Sequence, residues 1–197
     1  ISTTFASKSV GNGKTVTVSG IATGGADGPN YSVTQPSGSA NITPKELTVT
    51  GITAIGKTYN SSDAATLSLG SAALQGKVSG DLVTLSTGSA TGTFADKNVG
   101  NGKTVTIAGL TITGADAPNY ALTQPTTTAN ITPKALTVNG VVFDNKTYDG
   151  NTTASVSTTL AAFSGVISPD VVTFSAPSIS AAFATKSAGT GKTVTVS

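Results

Sequence analysis

The sequence predicts an all-β fold built of tandem antiparallel β-sandwich repeats that form an elongated rod. Three observations support this prediction. One pattern recurs along the chain at constant spacing, apolar residues alternate with polar ones in short segments, and no long segment has the apolar spacing of an amphipathic helix. Thr and Val are also abundant, and their β-branched side chains favour a pleated strand over a helix.

The internal repeat determines the predicted architecture. Residues 5–18 recur at 94–107 and again at 183–196, each time after 89 residues. The same shift, without an insertion, relates further segments: 25–31 to 114–120, 42–45 to 131–134 and 57–59 to 146–148. A solenoid repeat has roughly 20 to 50 residues and a small β-sandwich roughly 100. Each repeat is therefore expected to be a separate sandwich.

Prolines mark the predicted domain boundaries. Pro44 and Pro133 precede strand-like segments, and the fixed φ and missing N–H of proline suit the residue before a new strand. Domain starts near Ile42 and Ile131 give the C-terminal part of one repeat at 1–41, a complete repeat at 42–130 and the N-terminal part of the next at 131–197. The alternative is a permuted unit that begins near residue 1 and borrows a closing strand from 183–196.

Strands are predicted where apolar residues alternate with Thr, Ser or Ala. Such alternation is typical of antiparallel strands that bury one face and expose the other. Four pairs of apolar residues are expected to share a strand face: Leu47 and Val49, Val105 and Ile107, Tyr120 and Leu122, and Val172 and Phe174.

Turn signals separate these strands. Asn12-Gly13 and Asn101-Gly102 predict tight type I′ hairpins, because both central residues of that turn need positive φ. The third copy has Thr190-Gly191, and a β-branched residue is costly at positive φ, so this turn should differ or be strained. Apolar positions change from odd to even numbers across Ala108-Gly109, which predicts a β-bulge there.

Composition excludes most catalytic chemistry. The chain has no Cys, His, Trp, Met or Arg. Without Cys and His there is no Ser-His-Asp or Cys-His nucleophile system and no thiolate or imidazole zinc site. We therefore expect no enzymatic activity, no cofactor, and no catalytic, cofactor-binding or metal-binding residues.

Charge and hydropathy exclude two classes of partner. Eleven Lys against nine acidic residues give a net charge of +2, without a dense basic patch, so nucleic-acid binding is not expected. No segment is apolar enough to insert into a membrane. Residues 1–4 lack the basic and apolar regions of a signal peptide, so any targeting information is expected to lie outside this sequence.

Two motifs resemble binding sites. Gly-Asn-Gly-Lys-Thr at 11–15 and 100–104 has the end of a phosphate-binding loop, but Lys8 or Lys97 stands where the first Gly is required, and a strand pattern follows. Asp27 and Asp116 are expected to bond local backbone N–H groups in Asx turns, with a calcium ligand as the alternative. A catalytic carboxylate pair is not favoured, because only these two and the turn residues Asp81 and Asp170 recur as acidic positions between copies.

Other polar residues allow further hypotheses. Tyr59 and Tyr148 are predicted to anchor the core, and stacking on a sugar is the alternative. Asn30, Asn60 and Asn151 begin Asn-x-Ser/Thr triplets, which accept glycans only in a host with that machinery. Lys with Asn or Asp could also form an intramolecular isopeptide bond, which would change the intact mass.

Residues 146–153 read Lys-Thr-Tyr-Asp-Gly-Asn-Thr-Thr and follow Ile-Thr-Pro-Lys-Ala-Leu-Thr-Val at 131–138. Together with Gly-Ala-Asp-Ala-Pro-Asn-Tyr-Ala-Leu-Thr-Gln-Pro at 114–125, they resemble the YDG-motif repeats of bacterial haemagglutinin-like surface adhesins. The chain is also similar to the mostly bacterial immunoglobulin-like stalk domains. The resemblance implies long secreted proteins at the bacterial cell surface. The earlier copy has Tyr59-Asn60-Ser61 in place of Tyr-Asp-Gly, which favours a turn role over a catalytic one.

Two functions follow as expectations. In the first, the repeats are a structural stalk that spaces a distal binding module from the cell, and their partners are neighbouring repeats of the same chain. In the second, each repeat binds a host glycan or surface protein, and repetition multiplies weak contacts by avidity.

Overall fold

A computed structural model describes residues 1–176 and 178–197 of the chain. These residues form twenty β-strands and two three-residue 3-10 helices, at Gly28–Asn30 and Ala117–Asn119. The prediction of an all-β fold is confirmed. Within the same residues, neither helix has the length or the apolar character that a membrane span would need.

The strands are numbered in chain order. The first ten are β1 Ser2–Phe5, β2 Gly11–Ser19, β3 Ser37–Ile42, β4 Lys45–Thr50, β5 Thr53–Ile55, β6 Lys57–Thr58, β7 Ala64–Ser68, β8 Ala73–Gln75, β9 Thr84–Ser86 and β10 Thr91–Phe94. The other ten are β11 Gly100–Ala108, β12 Thr111–Thr113, β13 Tyr120–Leu122, β14 Thr126–Thr132, β15 Thr137–Asn139, β16 Val142–Phe143, β17 Val156–Ser157, β18 Ala162–Ser164, β19 Ala181–Phe183 and β20 Val194–Val196.

The chain forms two compact units. Unit 1 comprises Ile1–Lys57 and Asp63–Ile131, and unit 2 comprises Thr58–Ser62 and Thr132–Ser197. The domain starts near Ile42 and Ile131 were derived from the sequence repeats, and they remain a prediction.

Unit 1 contains several small sheets. Strands β1, β2 and β3 form one sheet in that order, and β13, β4 and β8 form another. The largest sheet has the order β5-β7-β10-β11-β14-β6, and β12 pairs with β9. These sheets contain every strand of the predicted complete repeat.

One strand pair differs from the expected antiparallel pattern. Strand β13 runs parallel to β4, with Tyr120 opposite Lys45 and Leu122 opposite Leu47. Parallel neighbours need a long connection, because the chain must return to the same end of the sheet before the second strand begins. Here that connection contains strands β5 to β12, so the opening strand of the complete repeat is held by a strand near its end.

The core of unit 1 lies between the inward faces of these sheets. Val49 of β4 clusters with Ile52, with Ile107 in β11 and with Leu110, which follows β11. A second cluster contains Leu47, Val83 and Tyr120. Leu47, Val105 and Ile107 are at most 1% exposed, so the alternation predicted for these strands does place their apolar residues inside.

The predicted strand at 172–174 is not formed. Residues 171–176 have no strand, and Val172 is about half exposed. In unit 1 the corresponding strand is β9, which pairs with β12.

The β-ladders recur with the period of the sequence. Phe5 faces Val16 between β1 and β2, and the same pairing recurs 89 residues later in unit 1 and again in unit 2. Val49 faces Leu74 between β4 and β8, and their counterparts Val138 and Phe163 face each other between β15 and β18. The repeated sequence therefore specifies the same local registers in both units.

The Asn-Gly pairs do not form hairpin turns, contrary to the prediction. Asn101-Gly102 lies inside β11, where the pairing with β14 shifts register between Gly100 and Lys103. Gly102 has a φ of 58°, but Asn101 has no positive φ, so the turn is not type I′. The Gly102 N–H donates to Asn130 Oδ1 at 2.7 Å, which explains why the motif forms a bulge in the strand.

The other two copies follow the same geometry. Gly13 has a φ of 60° and donates its N–H to Asn41 Oδ1 at 2.9 Å. Gly191 has a φ of 62°, and Thr190 does not have positive φ. The expected strain at Thr190 is therefore absent, because only the glycine of each pair takes the left-handed conformation.

The chain reversal between β10 and β11 is made by residues 95–99. Asp96 Oδ1 accepts the Asn98 N–H at 2.7 Å and the Lys103 ammonium at 2.7 Å. The stem of this lysine lies over Gly100, where an added Cβ would be 3.2 Å from Lys103 Cδ. The first glycine of Gly-Asn-Gly-Lys-Thr thus makes room for the lysine, which holds the loop.

The change of parity across Ala108-Gly109 is a crossing between sheets and not a bulge. β11 ends at Ala108, Gly109 has a φ of 78°, and β12 then begins in another sheet. A Cβ on Gly109 would lie 2.1 Å from the Ser89 carbonyl oxygen, so no other residue fits without a shift. Gln124 holds the crossing, since its Nε2 donates to Leu110 O at 2.8 Å and its Oε1 accepts Leu110 N–H at 3.1 Å.

Candidate functional site

The main polar site of unit 1 joins two copies of the repeat. Lys8, in the loop between β1 and β2, places Nζ 3.4 Å from Asp81 Oδ1 and 3.5 Å from Asp116 Oδ1. In the same loop the Val10 N–H donates to Asn119 Oδ1 at 2.9 Å. Lys8 and Val10 belong to the first copy and the three acceptors to the second. We call these residues, together with Tyr120, the junction cluster.

Backbone and core contacts fix the two acceptor carboxylates. Tyr120 packs with the apolar core, its hydroxyl donates to Asp81 Oδ2 at 2.7 Å, and it accepts the Val78 N–H at 3.0 Å. Asp116 Oδ2 accepts the Leu82 N–H at 2.9 Å. The aspartate side chains are only 16% and 20% exposed. A cation from outside the repeat therefore meets a preformed acidic site.

The protonation states of the cluster follow from these contacts. The Tyr120 hydroxyl bond, and then the charge of Lys8, lower the pKa of Asp81. Burial and the bond to Asp81 raise the pKa of Tyr120, and Asp116 and Asp81 raise the pKa of Lys8. All three shifts favour an ionised carboxylate, a neutral phenol and a charged lysine at neutral pH. The arrangement suits a fixed electrostatic contact better than proton transfer.

The predicted Asx turns are wrong for Asp116. Its carboxylate bonds Leu82 across the fold, and neither Asp27 nor Asp116 caps the 3-10 helix that follows it. Asp81 and Asp170 do lie in turns, where their N–H groups donate to Val78 O and Ile167 O. Within residues 1–176 and 178–197, no three acidic side chains are grouped closely enough to share a metal ion.

The Tyr-Asp-Gly motif of unit 2 forms a turn, as predicted. Asp149 Oδ1 accepts the Asn151 N–H at 3.2 Å, and Gly150 between them has a φ of 83°. Lys146 Nζ lies 2.8 Å from Asp149 Oδ1 and 2.8 Å from Asn151 Oδ1, and this contact lowers the pKa of Asp149. The isopeptide hypothesis stays a prediction.

The earlier copy builds the same turn from different residues. Asn60 Oδ1 accepts the Ser62 N–H at 3.2 Å, and Ser61 has a φ of 62°. Ser61 is the one residue other than glycine at positive φ within the described chain. Asn for Asp keeps the side-chain acceptor, and Ser tolerates the conformation at a cost, so the motif is defined by its backbone.

The two motif tyrosines differ from each other. Tyr148 is 61% exposed, so the prediction that it anchors the core is wrong. Tyr59 is half-buried, and its hydroxyl donates to Asp170 Oδ2 at 2.6 Å.

Sequence reasoning missed the junction cluster. The sequence does contain a signal for this cluster: Lys8 recurs as Lys97 and Lys186, and Asp81 recurs as Asp170. The contact itself could not be inferred, since Lys8 and Asp116 are far apart in sequence and belong to different copies.

Comparison with known proteins gives one family. The family model for the YDG domain matches residues 1–38, 43–129 and 132–197. Searches of curated proteins and of solved structures found no match to the chain.

Proposed function

Because the chain belongs to the YDG domain family, we propose that it is part of the stalk of a secreted bacterial surface adhesin. In this proposal its repeats are immunoglobulin-like sandwiches joined end to end into an elongated rod, which spaces a distal binding module from the cell. The role is mechanical, and no catalytic step belongs to it.

The junction cluster is the observation that carries the proposal. A spacer keeps its reach only if each repeat holds the next, and here a loop of one copy bonds three side chains of the following copy. The acceptors are positioned by Tyr120 and Leu82 from within their own repeat. The contact therefore links one repeat to the next.

The recurrence of strand registers also supports a spacer. The same pairs face each other in successive copies, and matching positions stay 89 residues apart. A rod with even spacing needs units of equal length.

The alternative, multivalent binding of a glycan or host protein, has less support. Such binding requires the same exposed side chains in every copy. In the complete repeat, Tyr120 is buried in the core and does not offer its ring to a ligand. Tyr148 is exposed, but its counterpart Tyr59 is half-buried and bonded to Asp170. A glycan array probed with this chain tests the alternative, and saturable binding to one glycan would favour it.

Small-angle X-ray scattering tests the stalk. Proteins with two, three and four repeats should increase in maximum dimension by a constant step of roughly 30 to 40 Å, the length of a nine-residue strand with its end loops. The same proteins in denaturant are the control, since the size of an unfolded chain grows with only about the 0.6 power of its length. A maximum dimension that stays constant as repeats are added would contradict the proposal.

A further inference from the structure

One lysine lies on the inward face of a strand in each copy. Lys103 of β11 stands two residues before the buried Val105, and its side chain is only 13% exposed. Its counterparts Lys14 and Lys192 are also partly buried. A lysine is rarely buried without a partner, because its ammonium group loses hydration. Each of these ammonium groups therefore needs a polar partner within its own copy.

Each lysine bonds a side-chain oxygen seven residues earlier in the chain. The three pairs are Lys14 with Ser7 Oγ, Lys103 with Asp96 Oδ1 at 2.7 Å, and Lys192 with Thr185 Oγ1 at 2.6 Å. The acceptor is a hydroxyl in two copies and a carboxylate in the complete repeat. Because attraction between opposite charges adds to the hydrogen bond, the carboxylate is expected to hold its lysine more firmly than a hydroxyl does.

The bulge at the Asn-Gly pair directs the lysine to this acceptor. Between Gly11 and Lys14, β2 has one residue more than β3 has between the facing Ile42 and Ala40. A bulge of this kind changes the direction of the side chains beside it. The stem of Lys14 lies over Gly11, where an added Cβ would be 3.5 Å from Lys14 Cδ. The motif thus turns its lysine back toward the loop that precedes the strand.

The loop that the lysine holds is the one that reaches the next copy. Ser7 is followed directly by Lys8, whose ammonium lies within 3.5 Å of both aspartates of the junction cluster. The Val10 N–H of the same loop donates to Asn119 Oδ1 at 2.9 Å. Residues 6–10 belong to no strand, so the bond from Lys14 restrains a segment that the ladder does not.

We propose that the lysine of Gly-x-Gly-Lys-Thr is a positioning residue for the contact between repeats, and that the acceptor seven residues before it sets how firmly that contact is held. The lysine acts through the loop. It restrains the residue beside Lys8, and so reduces the conformational entropy that the loop loses when it docks on the following copy. The inference rests on the proposed spacer, in which this loop joins successive repeats.

Hydrogen exchange measured by NMR on the 197-residue chain tests the proposal. The Val10 amide reports the contact with the next copy. The Ala6 amide, which donates to Thr15 O at 2.9 Å, reports the hairpin below the loop. Lys14→Met keeps an apolar stem and removes the ammonium. It should lower the protection of the Val10 amide by about tenfold, the effect of losing one hydrogen bond to a charged group, and leave the Ala6 amide protected.

Ser7→Asp is the complementary variant, because it gives the first copy the acceptor that the complete repeat has. It should raise the protection of the Val10 amide, and this gain should vanish when it is combined with Lys14→Met. Ser9→Asp is the matched control, since it adds the same charge to the same loop at a different position. If Lys14→Met also exposes the Ala6 amide, Ser7→Asp alone decides: higher protection of Val10 supports the proposal, and unchanged protection contradicts it.

Two other results would overturn the positioning role. They are unchanged protection of Val10 in Lys14→Met, and equal gains from Ser7→Asp and Ser9→Asp. The proposed stalk is tested separately by the scattering measurement. A constant maximum dimension together with the expected changes at Val10 would contradict the stalk and support the positioning role, whereas linear growth without those changes would do the reverse.

Discussion

Individual glycines and polar side chains determine the geometry of each copy. Gly102 has positive φ so that its N–H can meet Asn130, and Gly100 leaves space for the stem of Lys103. Each has a different physical reason to be glycine. The first needs the left-handed conformation and the second needs the absence of a side chain.

Gly102→Val should lower the free energy of unfolding by about 1 to 3 kcal/mol, because a branched residue is strained at positive φ. The position is open to solvent, so a clash would not add to this cost. Urea unfolding followed by circular dichroism measures the change. Gly88→Val is the matched control, since Gly88 also has free space but not a positive φ, and it should cost much less. Equal costs for the two variants would contradict the role of φ.

Tyr120→Phe removes the hydroxyl that bonds Asp81, so the pKa of Asp81 should rise toward its ordinary range. The lowered pKa of Asp81 stabilises the fold above about pH 4, and this contribution is lost as the pH falls through the lowered value. The difference in thermal midpoint between wild type and variant should therefore be largest near neutral pH and shrink in acid.

NMR titration of the Asp81 carboxyl carbon measures the pKa directly. Tyr31→Phe is the control, because Tyr31 is the exposed counterpart of Tyr120 and should leave the midpoint unchanged. A difference between wild type and Tyr120→Phe that is constant with pH would show that Asp81 is not involved.

At the scale of elements, the fold depends on the segments where the chain passes from one sheet to another. Residues between β11 and β12 leave one sheet and enter another, which exposes backbone groups that no strand can pair. Gln124 supplies one donor and one acceptor to Leu110 and so replaces a strand partner. Gln35 makes the same two bonds to Ile21 in the first copy.

Gln124→Ala should lower the free energy of unfolding by about 1 to 3 kcal/mol, because the N–H and C=O of the buried Leu110 lose their partners. Hydrogen exchange at the Leu110 amide should accelerate. Gln35→Ala is the matched control and should cost less, since Ile21 is only partly buried and water replaces the lost bonds. Unchanged exchange at Leu110 would contradict the role of Gln124.

At the scale of the whole chain, the link between the first copy and the second depends on a few polar contacts. Lys8 is 76% exposed, and exposed ion pairs are weak and sensitive to salt. The hydrogen bond from Val10 to Asn119 adds a neutral contact. The link between the first copy and the second is therefore expected to hold at low ionic strength and loosen at high ionic strength.

Lys8→Ala should broaden the distance between the first copy and the second. The chain has no cysteine, so spin labels at Thr3→Cys and Ser68→Cys, both exposed, report this distance without other changes. Sodium chloride at about 1 M should have a similar effect, because the screening length falls to about 3 Å. Lys45→Ala is the control and should leave the distribution narrow. A distribution unaffected by Lys8→Ala would contradict the role of the junction cluster.

Sequence reasoning recovered patterns that depend on neighbours in the chain. The inward faces at Leu47, Val49, Val105 and Ile107 follow from alternation alone. It failed where a distant partner decides, because Asn101-Gly102 forms a bulge only since Asn130 accepts the Gly102 N–H. The junction cluster and the parallel pairing of β13 with β4 could not be predicted from the sequence for the same reason.

The pairing of β13 with β4 has a consequence for how the chain matures. The two strands stand near opposite ends of the complete repeat, so most contacts that close the core are non-local. Such high contact order slows folding, because a large loop must close before its contacts stabilise it. A repeat emerging from a ribosome or an export channel should consequently stay susceptible to proteases until its last third has appeared.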